Sequence, residues 1–141
     1  MTARSTFARR IDSLDAVAAF TDAALEGADP AQRHAVAFAI EELFTNMVKY
    51  GAEGVPRIGI EIDHRVEGVQ VTLIDAGVAP FDPRSAPQAR IDAPIEQRSP
   101  GGLGLHVLRR MVDVLDYRYD AGRREGRTRF VVGPRTGGPA C

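Results

Sequence analysis

The chain contains 141 residues, of which 26% are charged and 44% hydrophobic, and its formal net charge is −1. This length suits a single domain with one core, and the near-zero net charge argues against nucleic acid as a direct partner. No stretch has the pattern of a membrane span or a signal peptide, and the one cysteine, Cys141, leaves no intrachain disulfide. We therefore expect a cytoplasmic protein without membrane contact.

The N-terminal part of the sequence predicts an edge strand and two helices. Residues 6–11 suggest a short strand, and Asp12 or Ser13 then caps a helix whose apolar residues recur at helical spacing. The pair Asp29-Pro30 predicts the start of a second helix, because aspartate caps helices and proline suits the first helical position.

The second helix, which we expect to end near Tyr50, carries an apolar and a polar stripe. The apolar stripe is formed by Val36, Ile40, Leu43, Phe44 and Met47. The polar stripe comprises Glu42 and Asn46, followed by Lys49 or Tyr50. These spacings place the polar side chains on one helix face, close enough to act on a single ligand.

A predicted hairpin follows the second helix. Residues 57–64 and 69–74 alternate apolar with polar or small residues, which indicates half-buried strands, and Glu67-Gly68 supplies the turn. Residues 80–102 then contain repeated prolines and few large apolar residues, so we expect a long irregular loop of the kind that is often functional.

The remainder of the chain predicts a third helix and two closing strands. The glycine-rich segment at residues 101–105 opens the helix, and residues 116–120 and 128–132 suggest the strands. The predicted fold class is α+β, a two-layer sandwich whose mixed, mostly antiparallel sheet is covered on one face by three helices. We expect residues 1–133 to form the domain and residues 134–141 a flexible tail.

Three separate segments carry residues suited to one ligand. Asp75 ends a strand two residues before Gly77, so a carboxylate able to accept from an amino group lies beside a close backbone turn. The segment GGLGL places free N–H groups at a helix N-terminus, which favours an anion. The side-chain oxygen of Asn46 suits magnesium, which prefers few protein ligands and phosphate oxygens. Taken singly, an ordinary turn, a helix cap and a satisfied helix asparagine explain these features as well.

Together, EELFTNMVKYG, DAGVAPFDP and GGLGLHVLRRMVD resemble the N, G1 and G2 boxes of the Bergerat-type (GHKL) ATPases. That superfamily includes gyrase, heat-shock chaperones, histidine kinases and MutL, and the resemblance extends over residues 4–132. Within it, the segments are most similar to the stand-alone anti-sigma factor serine kinases of the RsbW and SpoIIAB type.

The resemblance implies a role for each matching residue. Glu42 is expected to be the catalytic carboxylate near the γ-phosphate of ATP, and Asn46 the ligand of Mg²⁺. Asp75 is expected to bind the adenine amino group with the help of Thr128, and Gly77 to lie close to the base. The residues expected to line the phosphates are Gly101, Gly102, Leu103, Gly104 and Leu105.

Two further implications concern the region around the nucleotide. Residues 83–100 would form a mobile lid over ATP. Many anti-sigma kinases have a histidine one turn after the asparagine, whereas this chain has Lys49-Tyr50, as histidine kinases do. We include Lys49 among the expected nucleotide-binding residues.

The expected function is that of an anti-sigma factor and ATP- and magnesium-dependent serine/threonine kinase. A chain of this length has no room for a transducer domain or an acceptor-histidine hairpin, so we expect it to pass phosphate to another protein. The resemblance implies sequestration of a sigma factor, phosphorylation of a small STAS-type antagonist in a partner-switching system, and a homodimer. Two alternatives remain: a non-catalytic ATP-binding switch that holds partners, and a detached histidine-kinase catalytic domain.

Overall fold

The structure, a computed structural model, describes residues 2–85 and 102–135, apart from the side chains at positions 102 and 103. The strands are β1 (Thr2–Ala8), β2 (Arg57–Arg65), β3 (Gly68–Ala76), β4 (Val114–Asp120) and β5 (Glu125–Val132). The helices are α1 (Leu14–Ala24), α2 (Pro30–Tyr50) and α3 (Gly102–Met111), with a single 3₁₀ turn at Ile11–Ser13.

The five strands form one sheet in the order β1-β2-β3-β5-β4. Neighbouring strands are antiparallel throughout, so the sheet that the sequence predicted to be mixed contains no parallel pairing among the described residues. The α+β architecture, with three helices and an antiparallel sheet, is confirmed. After β3, the chain passes through α3 to the edge strand β4. It then returns as β5, which fills the position between β3 and β4.

The core lies between the helices and one face of this sheet. Alternate residues of β2, β3 and β5 point to this face, as the strand period of two requires. Leu73 pairs with Ile60 on one side and Thr128 on the other, so the three strands present their buried residues in register. The largest buried apolar side chains are Phe44, Phe130, Leu25, Ile40, Ile58, Ile60, Ile62, Leu73, Leu105 and Leu108.

Helix α2 begins and ends at the signals that the sequence provided. The Asp29 carboxylate accepts the Gln32 N–H at 2.8 Å and so satisfies one of the free donors of the first turn. At the other end, the Gly51 N–H donates to the Met47 carbonyl at 3.0 Å. Of the predicted apolar stripe, all members are fully buried except Met47, which is half-buried.

Strand boundaries differ from the predicted ones at β1, β4 and β5. Strand β1 covers Thr2–Ala8 rather than residues 6–11, because Phe7 is its one buried side chain while Ile11 is 45% exposed in the 3₁₀ turn. Strands β4 and β5 begin at Val114 and Glu125, before the predicted positions 116 and 128.

The predicted lid and tail fall largely outside the described residues, which lack positions 86–101 and 136–141. Of the predicted tail, Pro134 and Arg135 are described, and the Arg135 side chain donates to both Asp113 carboxylate oxygens at 3.2 and 3.0 Å and to the Met111 carbonyl at 2.7 Å. None of the described helices is long and apolar enough to cross a membrane.

Candidate functional site

Helix α2 contributes the first part of the site. Glu42 and Asn46 lie one turn apart on the same face, and the Asn46 Nδ2 donates to the Glu42 Oε2 at 3.2 Å. Asn46 is 6% exposed, and its side-chain oxygen accepts no hydrogen bond from the part of the chain that the structure describes. The helix therefore presents the amide oxygen of a largely buried asparagine together with a neighbouring carboxylate.

Strands β3 and β5 contribute the second part. Asp75 is 9% exposed near the end of β3 and lies opposite Gly126, whose missing side chain leaves room for the Tyr117 ring. Thr128, 2% exposed, lies two residues further along β5 on the same, helix-covered face. Two polar groups thus face inward from the sheet at a point where a core would otherwise be apolar.

A cavity joins these two parts between α2 and the end of β3. Its polar lining comes from Asn46, Asp75 and Thr128, three residues that are distant in sequence. The other lining residues are Leu43, Met47, Tyr50, Gly51, Val78, Ala79, Phe81 and Pro83. Apolar walls with a few convergent polar groups are typical of a site for a flat, partly polar ligand.

The segment after β3 is held in place by the β4–β5 hairpin. Gly77 has a φ of +76°, a conformation that favours glycine, and its N–H donates to the Arg124 carbonyl at 2.7 Å. The Tyr119 hydroxyl donates to the Val78 carbonyl at 2.5 Å, and the Phe81 N–H donates to the Tyr117 hydroxyl oxygen at 3.1 Å. These contacts fix the wall of the cavity that follows Asp75.

Helix α3 meets α2 at the Glu42 carboxylate. A Cβ atom at Gly104 would overlap both Glu42 carboxylate oxygens, so the absence of a side chain allows this close approach. Gly102 begins α3, whereas Gly101 lies outside the described residues, and the Leu105 side chain is fully buried in the core. The predicted catalytic carboxylate thus lies against the first turn of the helix predicted to hold phosphate.

Arg9, just after β1, is the site residue that the sequence reasoning missed. Its Nη2 donates to the Asp75 Oδ1 at 2.6 Å, and its side chain is 6% exposed. Its other donors reach backbone carbonyls of Met47, Val55 and Ala76. Arg9 lies 66 positions before Asp75 in a segment that contains other arginines. Nothing in the neighbouring sequence therefore distinguishes it as the partner of Asp75.

Residues 7–130 match the family model of the histidine kinase-like ATPase domain. The chain belongs to this family. A search of curated proteins gives no match. The matched range contains Arg9, Glu42, Asn46, Asp75 and Thr128, so all the groups brought together above lie within the histidine kinase-like ATPase domain.

Burial dominates the electrostatics of Asp75 in this ATPase domain. Loss of solvent raises the pKa of the carboxyl above its ordinary value, whereas the hydrogen bond and charge of Arg9 lower it and the charge of Glu53 raises it. Burial also raises the pKa of Tyr117, against the effect of the Phe81 N–H. Because the Asp75 carboxylate is largely shielded from solvent, it accepts strong hydrogen bonds when it is charged.

The remaining predicted residue of the ATPase site lies outside the cavity. Lys49 is exposed in the last turn of α2, and the cavity lining does not include it. Tyr50, its neighbour, is 48% exposed and lies at the rim.

The described residues include no group of three histidine, cysteine, aspartate or glutamate side chains that would hold a metal ion alone. The free Asn46 oxygen, with Glu42 adjacent, fits the single hard protein ligand that magnesium needs when phosphate and water oxygens supply the rest. A magnesium ion there would neutralise phosphate charge during transfer.

Proposed function

We propose that this histidine kinase-like ATPase domain is an anti-sigma factor kinase that transfers the γ-phosphoryl group of ATP to a serine or threonine of a small antagonist protein. The observation that carries the proposal is the placement of two carboxylates around one site. Asp75 lines the cavity as an acceptor for the base, and Glu42 lies against Gly104 at the start of α3.

The two ends of the site suit different parts of ATP. The cavity with Asp75 and Thr128 offers acceptors for an amino group between apolar walls, which fits adenine. The first turn of α3 offers N–H groups and the positive end of the helix dipole, which fits phosphate. Asn46, between them on α2, would hold Mg²⁺ through its side-chain oxygen.

In the proposed reaction, Glu42 orients and deprotonates the acceptor hydroxyl. The hydroxyl oxygen attacks the γ-phosphorus in line, the bond from that phosphorus to the bridging oxygen breaks, and ADP leaves while the proton passes to Glu42. The hydrogen bond from Asn46 to Glu42 holds the carboxylate at the metal-binding end of the site. The three atoms nearest to a Cβ at Gly104 would all belong to the Glu42 carboxylate.

The proposed partners follow from the family resemblance of the three motifs. The phosphate acceptor would be a STAS-type antagonist. The protein that the kinase sequesters would be a sigma factor. The kinase itself would be a homodimer. Phosphorylation of the antagonist would leave the kinase free to hold its sigma factor.

Replacement of Glu42 by glutamine tests the proposal. Glu42→Gln keeps the shape and the hydrogen bond but removes the basicity, so we expect ADP affinity to be retained. Single-turnover transfer from labelled ATP to purified STAS-type proteins should fall by about a hundred- to ten-thousandfold. The matched control is Glu41→Gln, because Glu41 is the adjacent glutamate and is exposed.

The stability of the labelled product distinguishes the outcomes. An acid-stable phosphoprotein supports the proposal, and an acid-labile one indicates a histidine-kinase catalytic domain. ATP binding without transfer to any STAS-type protein would leave the non-catalytic switch as the function. Normal transfer by Glu42→Gln would show that Glu42 is not the base.

A further inference from the structure

The guanidinium of Arg9 occupies a socket built from three parts of the chain. Its Nε donates to the Val55 carbonyl at 2.8 Å, before β2, and its Nη1 donates to the Met47 carbonyl at 3.2 Å, in the last turn of α2. Its Nη2 donates to the Asp75 Oδ1 at 2.6 Å and the Ala76 carbonyl at 3.4 Å, at the end of β3.

Two glycines make room for this group. A Cβ atom at Gly54 would overlap the Arg9 guanidinium, and one at Gly51 would lie 3.0 Å from its Nη1 and 2.8 Å from the Met47 carbonyl oxygen. The carbonyls fix the plane of the guanidinium, because Nε and both terminal nitrogens are engaged at once. The position of the Asp75 Oδ1 is thereby fixed as well.

The ion pair leaves Asp75 with one oxygen for a ligand. Asp75 lines the cavity, whereas Arg9 does not. The Asp75 Oδ2 accepts no hydrogen bond from the described residues. Every fully buried side-chain oxygen among them has a partner, so the Asp75 Oδ2 is not fully buried. The cavity is therefore lined by a carboxylate whose Oδ1 already accepts a hydrogen bond from the buried Arg9 guanidinium.

Purine bases differ in the number of donors that they present to a carboxylate. Adenine offers its 6-amino group, for which a single oxygen is enough. Guanine offers its N1–H and 2-amino groups side by side, and a carboxylate matches this pair best when both oxygens accept in parallel. A carboxylate with one oxygen already engaged can still accept from the adenine amino group. It cannot accept both guanine donors in parallel, so it loses much of the interaction with guanine.

We infer that Arg9 is a positioning residue that makes the site select adenine over guanine by engaging the Asp75 Oδ1. The inference rests on the proposed function, because it assumes that the cavity receives the base of a nucleotide. Arg9 acts through Asp75 and does not itself contact the base.

The test compares ADP and GDP affinities of the intact chain, measured by titration calorimetry at one pH. We expect the wild type to prefer ADP, and Arg9→Met to narrow the ratio of the two affinities by about tenfold, the value of one charge-assisted hydrogen bond. Arg57→Met is the matched control, because Arg57 also links β1 to β2, through Thr6, without touching Asp75. Its ratio should equal that of the wild type.

A second variant displaces the Arg9 guanidinium without removing it. Gly54→Ala introduces a methyl group where the Arg9 guanidinium lies, and the long arginine side chain is able to shift away. We expect this variant to narrow the ratio in the same direction, which covers the case of an Arg9→Met protein that does not fold.

The outcomes separate this inference from the proposed function. Equal losses for ADP and GDP in both variants would indicate a purely structural arginine and overturn the inference alone. A folded wild type that binds neither nucleotide would overturn the proposed function and the inference with it.

Discussion

At Asp75, a single carboxylate has a different neighbour on each side. Arg9 engages one oxygen at 2.6 Å, and the cavity lies on the other side. Burial disfavours the charged form and Arg9 favours it, with burial the larger effect on the pKa. The carboxylate that would recognise the base thus protonates more readily than an exposed aspartate.

We expect Asp75→Asn to weaken ADP binding by about ten- to a hundredfold, the range for one hydrogen bond to a charged acceptor. The substitution keeps the shape but removes the charge that the amino group meets. Titration calorimetry measures the loss, with Asp120→Asn as an exposed control on β4. Unchanged affinity in folded Asp75→Asn would remove Asp75 from the binding site.

The raised pKa of Asp75 predicts that ADP affinity falls on acidification at a higher pH than an exposed aspartate would give. The phosphates of ADP titrate in every variant, so the difference between wild type and Asp75→Asn isolates the carboxyl. Stability changes in the opposite sense: a carboxyl whose folded-state pKa is raised stabilises the fold at low pH, and this contribution is lost as the pH rises through that pKa. Parallel pH profiles for both proteins would contradict the assignment.

The motif residues were predictable because each carries a local signal. Asn46 follows Glu42 by one helical turn, and Asp75 precedes Gly77 at the end of a strand. Arg9 was not predictable, because its partners are carbonyls and a carboxylate brought together by the fold of three distant segments. The exposed position of Lys49 also depends on where α2 ends against the sheet.

The contact between α2 and α3 depends on a glycine in a helix. Gly104 lies in the first turn of α3, where alanine would favour the helix by up to about 1 kcal/mol. The three atoms nearest to its Cβ would all belong to the Glu42 carboxylate, the end of a flexible side chain. The glycine therefore maintains the position of Glu42 at the expense of helix propensity.

We expect Gly104→Ala to fold with unchanged or slightly higher stability and to lose phosphotransfer, because Glu42 is displaced. Thermal unfolding and single-turnover transfer measure the two quantities on one sample. Gly59→Ala is the control, since a Cβ there makes ordinary contacts with Ile74 at 3.5 Å. Full transfer by Gly104→Ala would show that the position of Glu42 is unimportant.

Elements with a buried face were predictable, and the edge strand was less so. Helix α2 combines a cap, a proline and a periodic apolar stripe, and each agrees with the others. Strand β1 is polar except for Phe7, so its pairing with β2 rather than its own pattern decides where it begins. A strand specified mainly by its partner gives little signal in a single sequence.

On the scale of the whole molecule, the site joins elements from both ends of the matched range. Arg9 follows β1, Asn46 belongs to α2, Asp75 to β3 and Thr128 to β5. A ligand that contacts α2, β3 and β5 together, with β1 tied to Asp75 through Arg9, favours the folded chain over every partly open form.

We expect ADP with Mg²⁺ at a hundred times its dissociation constant to raise the free energy of unfolding by about 2.7 kcal/mol. Urea unfolding with and without ADP measures the change, and Asp75→Asn at the same ADP concentration should gain less. Hydrogen exchange should slow at the end of β1 as well as along α2, because Arg9 connects that end to Asp75. No shift at saturating ADP would contradict a site formed by the native fold.

The strand order also bears on how the chain is made. Strand β3 lies beside β5, which follows it by about fifty residues, so during synthesis β3 has an open hydrogen-bonding edge until residues 125–132 have left the ribosome. Before then, Asp75 has Arg9 but not Thr128, and α2 covers a sheet that is incomplete. A nascent chain is therefore exposed to edge-to-edge association at β3, and it gains the ability to capture nucleotide only when its last described strand inserts into the middle of the sheet.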